Sequence, residues 1–268
     1  MSKLHEGFVG VKDGIVGRPI KCNRQVLKIT KQNYAEVMFI GDSHLGSPQF
    51  DQPRFQKMID FCLKRKIYVF LMGDMIEMAT RHSVGSGVYE QMYPGQTQYE
   101  KMVEILMPLV EHELIIGFLR GNHEERSYKA VGVDVGKAMA RELNCPYLGD
   151  ACWNVFKVGK QSYSIYSLHG RSGARFDGTA LLALERLSAS FFADLVVMGH
   201  LHKLIESTVL MQRIHKGRVV EHKKHLVITG SYLKYDGGYA QMIGLSPSKL
   251  GSPKVKFFAE EHDIHVSW

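Results

Sequence analysis

The strongest constraint on the fold of this chain is a recurring pattern, a continuous hydrophobic run that ends in glycine and a polar residue, apart from one Arg before Gly121. The runs are rich in β-branched and aromatic residues and occupy residues 37–40, 68–72, 114–119 and 195–198. Such runs are typical of buried strands in a parallel sheet. Polar residues at the carboxyl ends of neighbouring parallel strands lie where open α/β sheets bind ligands. The pattern therefore predicts an α/β fold with a ligand site at that edge.

The segments between and after these runs complete the predicted architecture. Apolar residues at helical spacing predict helices over residues 51–62, 97–109, 133–143 and 179–187. An edge strand or arm is expected near residues 26–29. Glycine-rich turns separate further short strands, expected at residues 155–158, 163–168, 204–214, 218–228, 241–245 and 254–258. Two sheets packed face to face, with helices on both outer sides, accommodate both halves of the chain.

Length, charge and cysteine content narrow the class of protein. A chain of 268 residues is expected to form one domain, residues 1–268. Lysine and arginine number 34 against 27 aspartates and glutamates, and this net charge of +7 favours an anionic substrate. Four cysteines without Cys-x-x-Cys spacing predict reduced thiols. With no secretion signal and no apolar run long enough for a membrane helix, we expect a cytoplasmic protein without membrane contact.

Acid, amide and imidazole side chains follow the strand-like runs, and together they predict a site for two divalent metal ions. The candidate ligands are Asp42, His44, Asp74, Asn122, His169, His200 and His202. Asp42 and His44 are two residues apart, so both can face one ion. Asp74 is assigned as the shared carboxylate, which can supply one oxygen to each ion. Nitrogen and oxygen donors without thiolate suit Mn²⁺, with Fe or Zn²⁺ as alternatives.

The order of these clusters resembles the motifs of the calcineurin-like metallophosphoesterases: Asp-x-His, Gly-Asp-x-x-Asp/Glu, Gly-Asn-His-Glu/Asp, His and Gly-His-x-His. The resemblance covers residues 41–202 and implies a four-layer αββα sandwich of two mixed sheets flanked by helices. It also implies one ion held by Asp42, His44, Asp74 and His202, and a second held by Asp74, Asn122, His169 and His200. His123 would protonate or stabilise the leaving oxygen. Its expected orienter is Glu77, where the family more often has aspartate, with Glu124 as the competing partner.

The expected activity is hydrolysis of a phosphate ester by attack of a hydroxide that bridges the two ions. Phosphodiesters in a nucleic acid or nucleotide are favoured because the chain is basic. The alternatives are a phosphomonoesterase acting on a nucleotide or phosphoprotein, and a non-catalytic metal-binding scaffold. A basic hairpin expected at residues 204–228 also allows a nucleic-acid-binding module, although a solvated edge hairpin explains the same charges. The oligomeric state stays open.

Positive side chains near the motifs are candidates for substrate binding. Arg120, Arg171 and Arg175 could clamp a phosphate through paired hydrogen bonds, and solvated arginines or structural ion pairs are the alternative. Residues 80–98 form a long, glycine-rich and aromatic segment that could roof the site. Arg81 and His82 within this segment are further candidates.

Overall fold

Strands and helices alternate along the first part of the chain, as the hydrophobic periodicity predicts. The structure, a computed structural model, describes residues 20–81, 83, 87–171 and 173–268. The elements before residue 150 are β1 (Lys21–Leu27), β2 (Tyr34–Ile40), α1 (Gln52–Arg65), β3 (Tyr68–Leu71), α2 (Gly95–Glu111), β4 (Ile115–Phe118), α3 (Asn122–Val131) and α4 (Val135–Glu142). The later elements are β5 (Ala151–Val158), β6 (Gln161–Leu168), α5 (Asp177–Ser188), β7 (Leu195–Met198), β8 (Ile205–His215), β9 (Arg218–Ile228), α6 (Tyr239–Met242), β10 (Lys254–Phe258) and β11 (Ile264–Ser267).

The strands form two mixed sheets. The five-stranded sheet has the order β11-β10-β2-β3-β4, in which β2, β3 and β4 are parallel and β10 is antiparallel to both of its neighbours. The six-stranded sheet has the order β1-β5-β6-β7-β9-β8, with β6, β7 and β9 parallel at its centre and β8 antiparallel at one edge. Within each sheet, the carboxyl ends of the parallel strands lie at one edge. Loops at such an edge bind ligands in α/β proteins.

Alternating side chains along each strand divide the core into layers. Phe39 and Phe70 point between the sheets, where they pack with Phe156 and Phe257, while their neighbours in β2 and β3 pack under α1, α2 and α4. On the other side, Leu184 of α5 packs in a cluster with residues of β6, β7 and β9. The order of layers is helices, sheet, sheet, helix, which confirms the predicted four-layer αββα sandwich.

The two long helices of the first half follow the sequence signals. Asp51 caps α1 by accepting a hydrogen bond from the Arg54 N–H at 3.2 Å, and Lys66 ends the helix in a left-handed conformation. Phe55, Ile59 and Cys62 form its buried face, at the predicted spacing. In the part of the chain that the structure describes, no helix has the length and apolar character needed to cross a membrane.

Some sequence expectations were wrong. The strand expected at residues 241–245 is instead the helical turn α6, which ends where Gly244 takes a φ of +71°, a left-handed conformation that terminates helices. Residues 122–131 form α3, which hydrophobic periodicity does not reveal because this segment is mostly polar. Residues 95–98, included in the possible roof, are the first turn of α2. The last strand, β11, was not expected.

Candidate metal centre

The candidate ligands lie at the carboxyl ends of five parallel strands, three from one sheet and two from the other. Asp42 and His44 follow β2, Asp74 follows β3, and Asn122 lies just after β4 at the start of α3. His169 directly follows β6, and His200 and His202 follow β7. The face-to-face packing of the two sheets brings these loops together, so seven side chains scattered over the sequence meet at one edge of the sandwich.

The first cluster consists of Asp42, His44 and His202. The Nε2 atoms of His44 and His202 are 3.1 Å apart, and His202 Nε2 lies 3.3 Å from Asp42 Oδ1. Asp42 and His44 are buried, whereas the His202 side chain is 33% exposed. The cluster is therefore reachable from solvent only on the His202 side of this trio.

The second cluster consists of Asp74, Asn122, His169 and His200. His169 Nε2 is 3.2 Å from Asp74 Oδ2 and 3.1 Å from Asn122 Oδ1. One ligand atom each from Asp74, His169 and His200 lies within 4.8 Å of the others. Asp74 Oδ2 is also 3.9 Å from His44 Nε2 in the first cluster. The Asp74 carboxylate therefore lies between the two clusters, where a bridging ligand would be needed.

The donor atoms of both clusters suit cations. His169 Nδ1 donates a hydrogen bond to the Met72 carbonyl oxygen at 2.8 Å, so Nε2 is the nitrogen that faces Asp74 and Asn122, and it presents a lone pair there once His169 has lost its second proton, as metal binding requires. His200 Nδ1 is buried and has no hydrogen-bond partner among the described residues. Converging lone pairs and an unpartnered imidazole nitrogen are the arrangement that a nitrogen- and oxygen-ligated metal ion satisfies.

Electrostatics at the Asp74 carboxylate favour positive charge as well. Burial alone would lower the pKa of His169, but the charge and hydrogen bond of Asp74 raise that pKa to about 10. Burial would likewise raise the pKa of Asp74, but His169 and His123 hold it well below its usual value. A carboxylate that stays ionised at nearly full burial requires a positive partner. A proton on His169 can fill that role, and so can a divalent cation.

Five of the seven candidate ligands adopt a left-handed backbone conformation. The φ angles are 51° for Asp42, His44 and Asp74, 70° for His200 and 55° for His202. This conformation costs roughly 1–2 kcal/mol for a residue other than glycine. Such strain concentrates at functional sites, where the surrounding fold holds residues in unfavourable geometry. The strain marks the same positions as the polar motifs.

The glycines of the Gly-Asp and Gly-Asn motifs let two loops touch. A Cβ on Gly73, whose φ is +91°, would lie 2.5 Å from the Gly121 nitrogen. A Cβ on Gly121 would lie 2.0 Å from Asp74 Oδ1. Side chains at these positions would push the loops apart, so both glycines are needed to bring Asn122 next to Asp74.

Glu124 binds these two loops together instead of orienting His123. Its carboxylate accepts hydrogen bonds from the backbone N–H groups of Asp74 at 2.9 Å, Met75 at 2.7 Å and Gly121 at 2.9 Å. Burial and the nearby Asp74 charge raise the pKa of Glu124 to about 7. Glu124 is therefore engaged by backbone N–H groups, and orientation of His123 by Glu77 stays a prediction.

Glu77 contacts His123 mainly through its backbone. His123 Nδ1 is 2.7 Å from the Glu77 carbonyl oxygen and 3.5 Å from its Oε2. The Glu77 carboxylate lies closer to His44 Nδ1, at 3.2 Å, and this contact helps to bring the pKa of Glu77 down to about 2 against the opposing effect of burial. Burial lowers the pKa of His123 to about 4. Before ligands bind, His123 is therefore a neutral ring.

Arg126 is a neighbour of this site that sequence reasoning missed. Its Nη2 donates to His123 Nε2 at 2.9 Å, and its Nη1 lies 2.8 Å from the Glu77 carbonyl oxygen and 3.1 Å from Glu77 Oε1. The signal available in the sequence was the i, i+3 spacing from His123, which matters only on a helix. Because α3 was not predicted, that spacing carried no weight.

The five positive residues proposed to bind substrate fall into different settings. Arg120 is 5% exposed, and Asp150 holds its guanidinium at 2.8 and 3.0 Å, an arrangement that favours a structural ion pair over a substrate clamp. Arg171 pairs with Glu125. Arg175 is exposed and lines a separate cavity, and Arg81 is exposed in the loop after β3. His82 lies outside the described residues.

The described part of the segment 80–98 lies beside the first cluster. The Met92 N–H donates to the Gly46 carbonyl oxygen at 2.8 Å, two residues after His44. Gln98, at the start of α2, connects the segment's Gln91 and Tyr93 to the backbone of Met78. These contacts hold residues 91–93 against the loop that follows His44 and against α2, and a roof over the candidate centre stays a prediction.

Comparison with known proteins identifies the family. Residues 35–204 match the model of the calcineurin-like phosphoesterases, which is more than half of the chain. The chain belongs to this family, which confirms the resemblance found in its motifs. It is therefore related to metal-dependent hydrolases of phosphate esters, and its histidine and aspartate clusters are compatible with a dinuclear metal site.

Solved structures with a similar arrangement have low sequence identity. Yfce, a phosphoesterase from E. coli, is 16% identical, with 87% of this chain and 98% of that chain covered and a TM-score of 0.41. Vps29 from Entamoeba histolytica, complexed with Zn²⁺, is 14% identical, with 87% and 97% covered and a TM-score of 0.36. The hypothetical protein PH1004 from Pyrococcus horikoshii OT3 is 10% identical, with 87% of each chain covered and a TM-score of 0.43. No curated protein matches the chain.

Proposed function

We propose that this protein is a dinuclear-metal phosphoesterase that hydrolyses phosphodiesters in nucleic acids or nucleotides. The observation that carries the proposal is the convergence of seven candidate ligands with nitrogen and oxygen donors, of which the buried Asp74 carboxylate lies between the two clusters. One ion would be held by Asp42, His44, Asp74 and His202. The other would be held by Asp74, Asn122, His169 and His200. The mixed donor set favours Mn²⁺, with Fe or Zn²⁺ as alternatives.

Two such ions supply an acidified water as nucleophile and positive charge for the phosphate oxygens. The chain itself fixes the ligands for this chemistry. Met72 sets the tautomer of His169, and Asp42 accepts the backbone N–H of His200 at 3.0 Å, which holds that loop against β2. Glu124 fixes the spacing between the loops of Asp74 and Asn122. These contacts preorganise the ligands, which reduces the cost of binding ions.

His123 and Arg126 are assigned to the leaving group. His123 Nε2 lies 3.8 Å from Asp74 Oδ2, so the ring edge borders the candidate centre. Arg126 contributes a fixed positive charge at the same nitrogen. As negative charge develops on the leaving oxygen, the Arg126 guanidinium would stabilise it. His123 is neutral before substrate binds, so it would donate to that oxygen only after its Nε2 has taken up a proton from solvent and Arg126 has turned from Nε2 to the leaving oxygen.

The test begins with metal content and substrate preference. Purified protein, reconstituted with Mn²⁺, Fe²⁺ or Zn²⁺, should bind two ions and hydrolyse bis-p-nitrophenyl phosphate faster than p-nitrophenyl phosphate. Asp74→Asn should lose metal and activity together, whereas His215→Asn, at the exposed end of β8, should lose neither. Two bound ions without hydrolysis of either ester would indicate the scaffold alternative. A preference for the monoester would contradict the diester assignment.

Leaving-group dependence tests His123 separately. His123→Asn should retain both ions but lose turnover most for esters with poor leaving groups, because aryl oxides need little protonation. The measurement is kcat for a series of aryl phosphodiesters of increasing leaving-group pKa. An equal loss for every ester would contradict the assigned role.

A further inference from the structure

A cavity apart from the candidate metal ligands includes Lys203, the residue after His202, in its lining. It has a volume of about 350 Å³ and is lined by three segments: Arg175–Asp177, Lys203–Leu204 and residues 246–249. Lys203 directly follows His202, so their Cα atoms are about 3.8 Å apart. His202 is also the partly exposed member of its cluster. The cavity therefore includes the chain neighbour of the partly exposed candidate ligand.

Three cations line this cavity against one carboxylate. Lys203 is 9% exposed, and its ammonium pairs with Asp177, whose side chain is 75% exposed. Arg175 and Lys249 are both exposed, and neither has an acidic partner within ion-pair distance among the described residues. The cavity lining therefore has a net positive charge even when the Lys203–Asp177 ion pair is counted as neutral. Arginine and lysine arranged in this way bind phosphate oxygens.

An exposed aromatic ring shares the cavity with these cations. Phe176 is 69% exposed although it is a large apolar residue, and it precedes the first turn of α5. Exposed rings beside positive charges are platforms on which nucleobases stack, and such stacking is tolerant of base identity. The ring and the cations together match a nucleotide better than an isolated phosphate.

We propose that this cavity binds the nucleotide next to the scissile phosphodiester, with its phosphate at Arg175, Lys203 and Lys249 and its base on Phe176. The inference rests on the proposed function and adds a substrate class to it. The enzyme then prefers substrates that carry a second phosphate one nucleotide away from the bond that breaks. A small diester reaches the metal centre without using the cavity.

The experiment compares substrates that differ in one group. The probes are the dinucleotide TpT, the same dinucleotide with a 5′- or 3′-terminal phosphate, and a phosphorylated analogue in which the terminal base is absent. One terminal phosphate should lower KM about tenfold, and removing the base should raise it about fivefold. Bis-p-nitrophenyl phosphate, which lacks both groups, reports whether the metal centre itself works.

The variants separate this cavity from general charge effects. In the double variant Arg175→Gln/Lys249→Gln, the terminal phosphate should no longer lower KM. In Phe176→Leu, removal of the terminal base should no longer raise KM. Both variants should hydrolyse bis-p-nitrophenyl phosphate at the rate of the unmodified protein. Lys57→Gln/Lys64→Gln, which removes two exposed charges from α1, should keep both advantages. Equal KM values for TpT and its phosphorylated forms in the unmodified protein, or an advantage that survives the double substitution, would overturn the proposal. Failure of bis-p-nitrophenyl phosphate hydrolysis would instead contradict the proposed function.

Discussion

The substitution Gly121→Ala should disable the metal centre through one added methyl group. Gly121 has a φ of −86°, which alanine adopts without strain, so the effect is purely steric. The new Cβ would lie 2.0 Å from Asp74 Oδ1, 2.2 Å from the Asp74 nitrogen and 2.7 Å from Glu124 Oε2. The shortest contact is 1.4 Å inside the 3.4 Å at which ordinary van der Waals contact begins.

The magnitude follows from what must move. Asp74 cannot move away from the new methyl group without breaking hydrogen bonds. Its backbone N–H donates to Glu124, and its Oδ1 accepts a hydrogen bond from the backbone N–H of His123 at 2.8 Å. Overpacking a buried contact typically costs about 1–3 kcal/mol of stability. A displacement of about 1 Å at a catalytic group can cost about 100-fold in rate. We therefore expect both losses, together with weaker binding of at least one metal ion.

Gly132→Ala is the matched control, because Gly132 ends the same helix, α3. Its φ is +74° and nothing lies within 4 Å of a Cβ there, so alanine introduces backbone strain without a clash. That strain should cost roughly 1–2 kcal/mol and leave activity intact. The assays are urea unfolding, metal content and kcat/KM for bis-p-nitrophenyl phosphate. A Gly121→Ala protein with the metal content and kcat/KM of Gly132→Ala would refute the reasoning.

Two further substitutions test contacts of individual side chains. Arg126→Gln should lower kcat about tenfold with two ions still bound, and Arg126→Lys should recover part of it, because the charge beside His123 is then retained. If kcat of Arg126→Gln equalled that of the unmodified protein at some other pH, the substitution would have changed only the protonation of His123. That result would contradict the role of Arg126 in stabilising charge on the leaving oxygen. In His262→Gln the loss of stability should depend on pH. The hydrogen bond from His262 Nε2 to Asp194, at 2.9 Å, raises the pKa of His262 above 6.5, so its contribution is complete below that value and declines as pH rises through the raised pKa. The partly exposed pair should be worth about 0.2–1 kcal/mol at about pH 5 and less at about pH 9 by urea unfolding; a constant difference would contradict this.

Much of the fold and the meeting of the candidate ligands followed from the sequence. Buried parallel strands have a distinctive composition, and a polar residue after such a strand can only lie at the sheet's carboxyl edge. Asp42 and Asp74 follow such runs in the sequence, whereas His169 follows a strand predicted at residues 163–168, outside the four runs. No knowledge of side-chain distances was needed, because strand order and the packing of two sheets determine which loops meet.

The contacts around His123 could not be predicted in the same way. Helix α3 has few buried residues, and its stability depends on tertiary contacts such as the Glu124 carboxylate on the Asp74 backbone, 50 residues away in the sequence. Hydrophobic periodicity does not register a polar helix of this kind. The cavity beside Lys203 could not be predicted either. Residues 246–249 form part of its lining, and no sequence pattern indicates that they lie near α5.

The left-handed conformation of the candidate ligands costs the fold stability that metal binding would offset, and His200 allows this to be measured. Its φ of 70° costs roughly 1–2 kcal/mol, and its buried, unpartnered Nδ1 costs about 1–3 kcal/mol more. Asparagine tolerates this conformation better than most residues and removes the imidazole. His200→Asn should therefore be at least as stable as the unmodified protein in EDTA.

In the presence of Mn²⁺ the order of stability should reverse. An ion at 100 times its dissociation constant adds about 2.7 kcal/mol to the stability of a protein that binds it, and His200→Asn should lose most of that gain with its ligand. Urea unfolding of both proteins, with EDTA and with Mn²⁺, gives the four free energies required. If His200→Asn were more than about 1 kcal/mol less stable than the unmodified protein in EDTA, His200 would be a structural residue, and its strained backbone would need no metal ion to explain it.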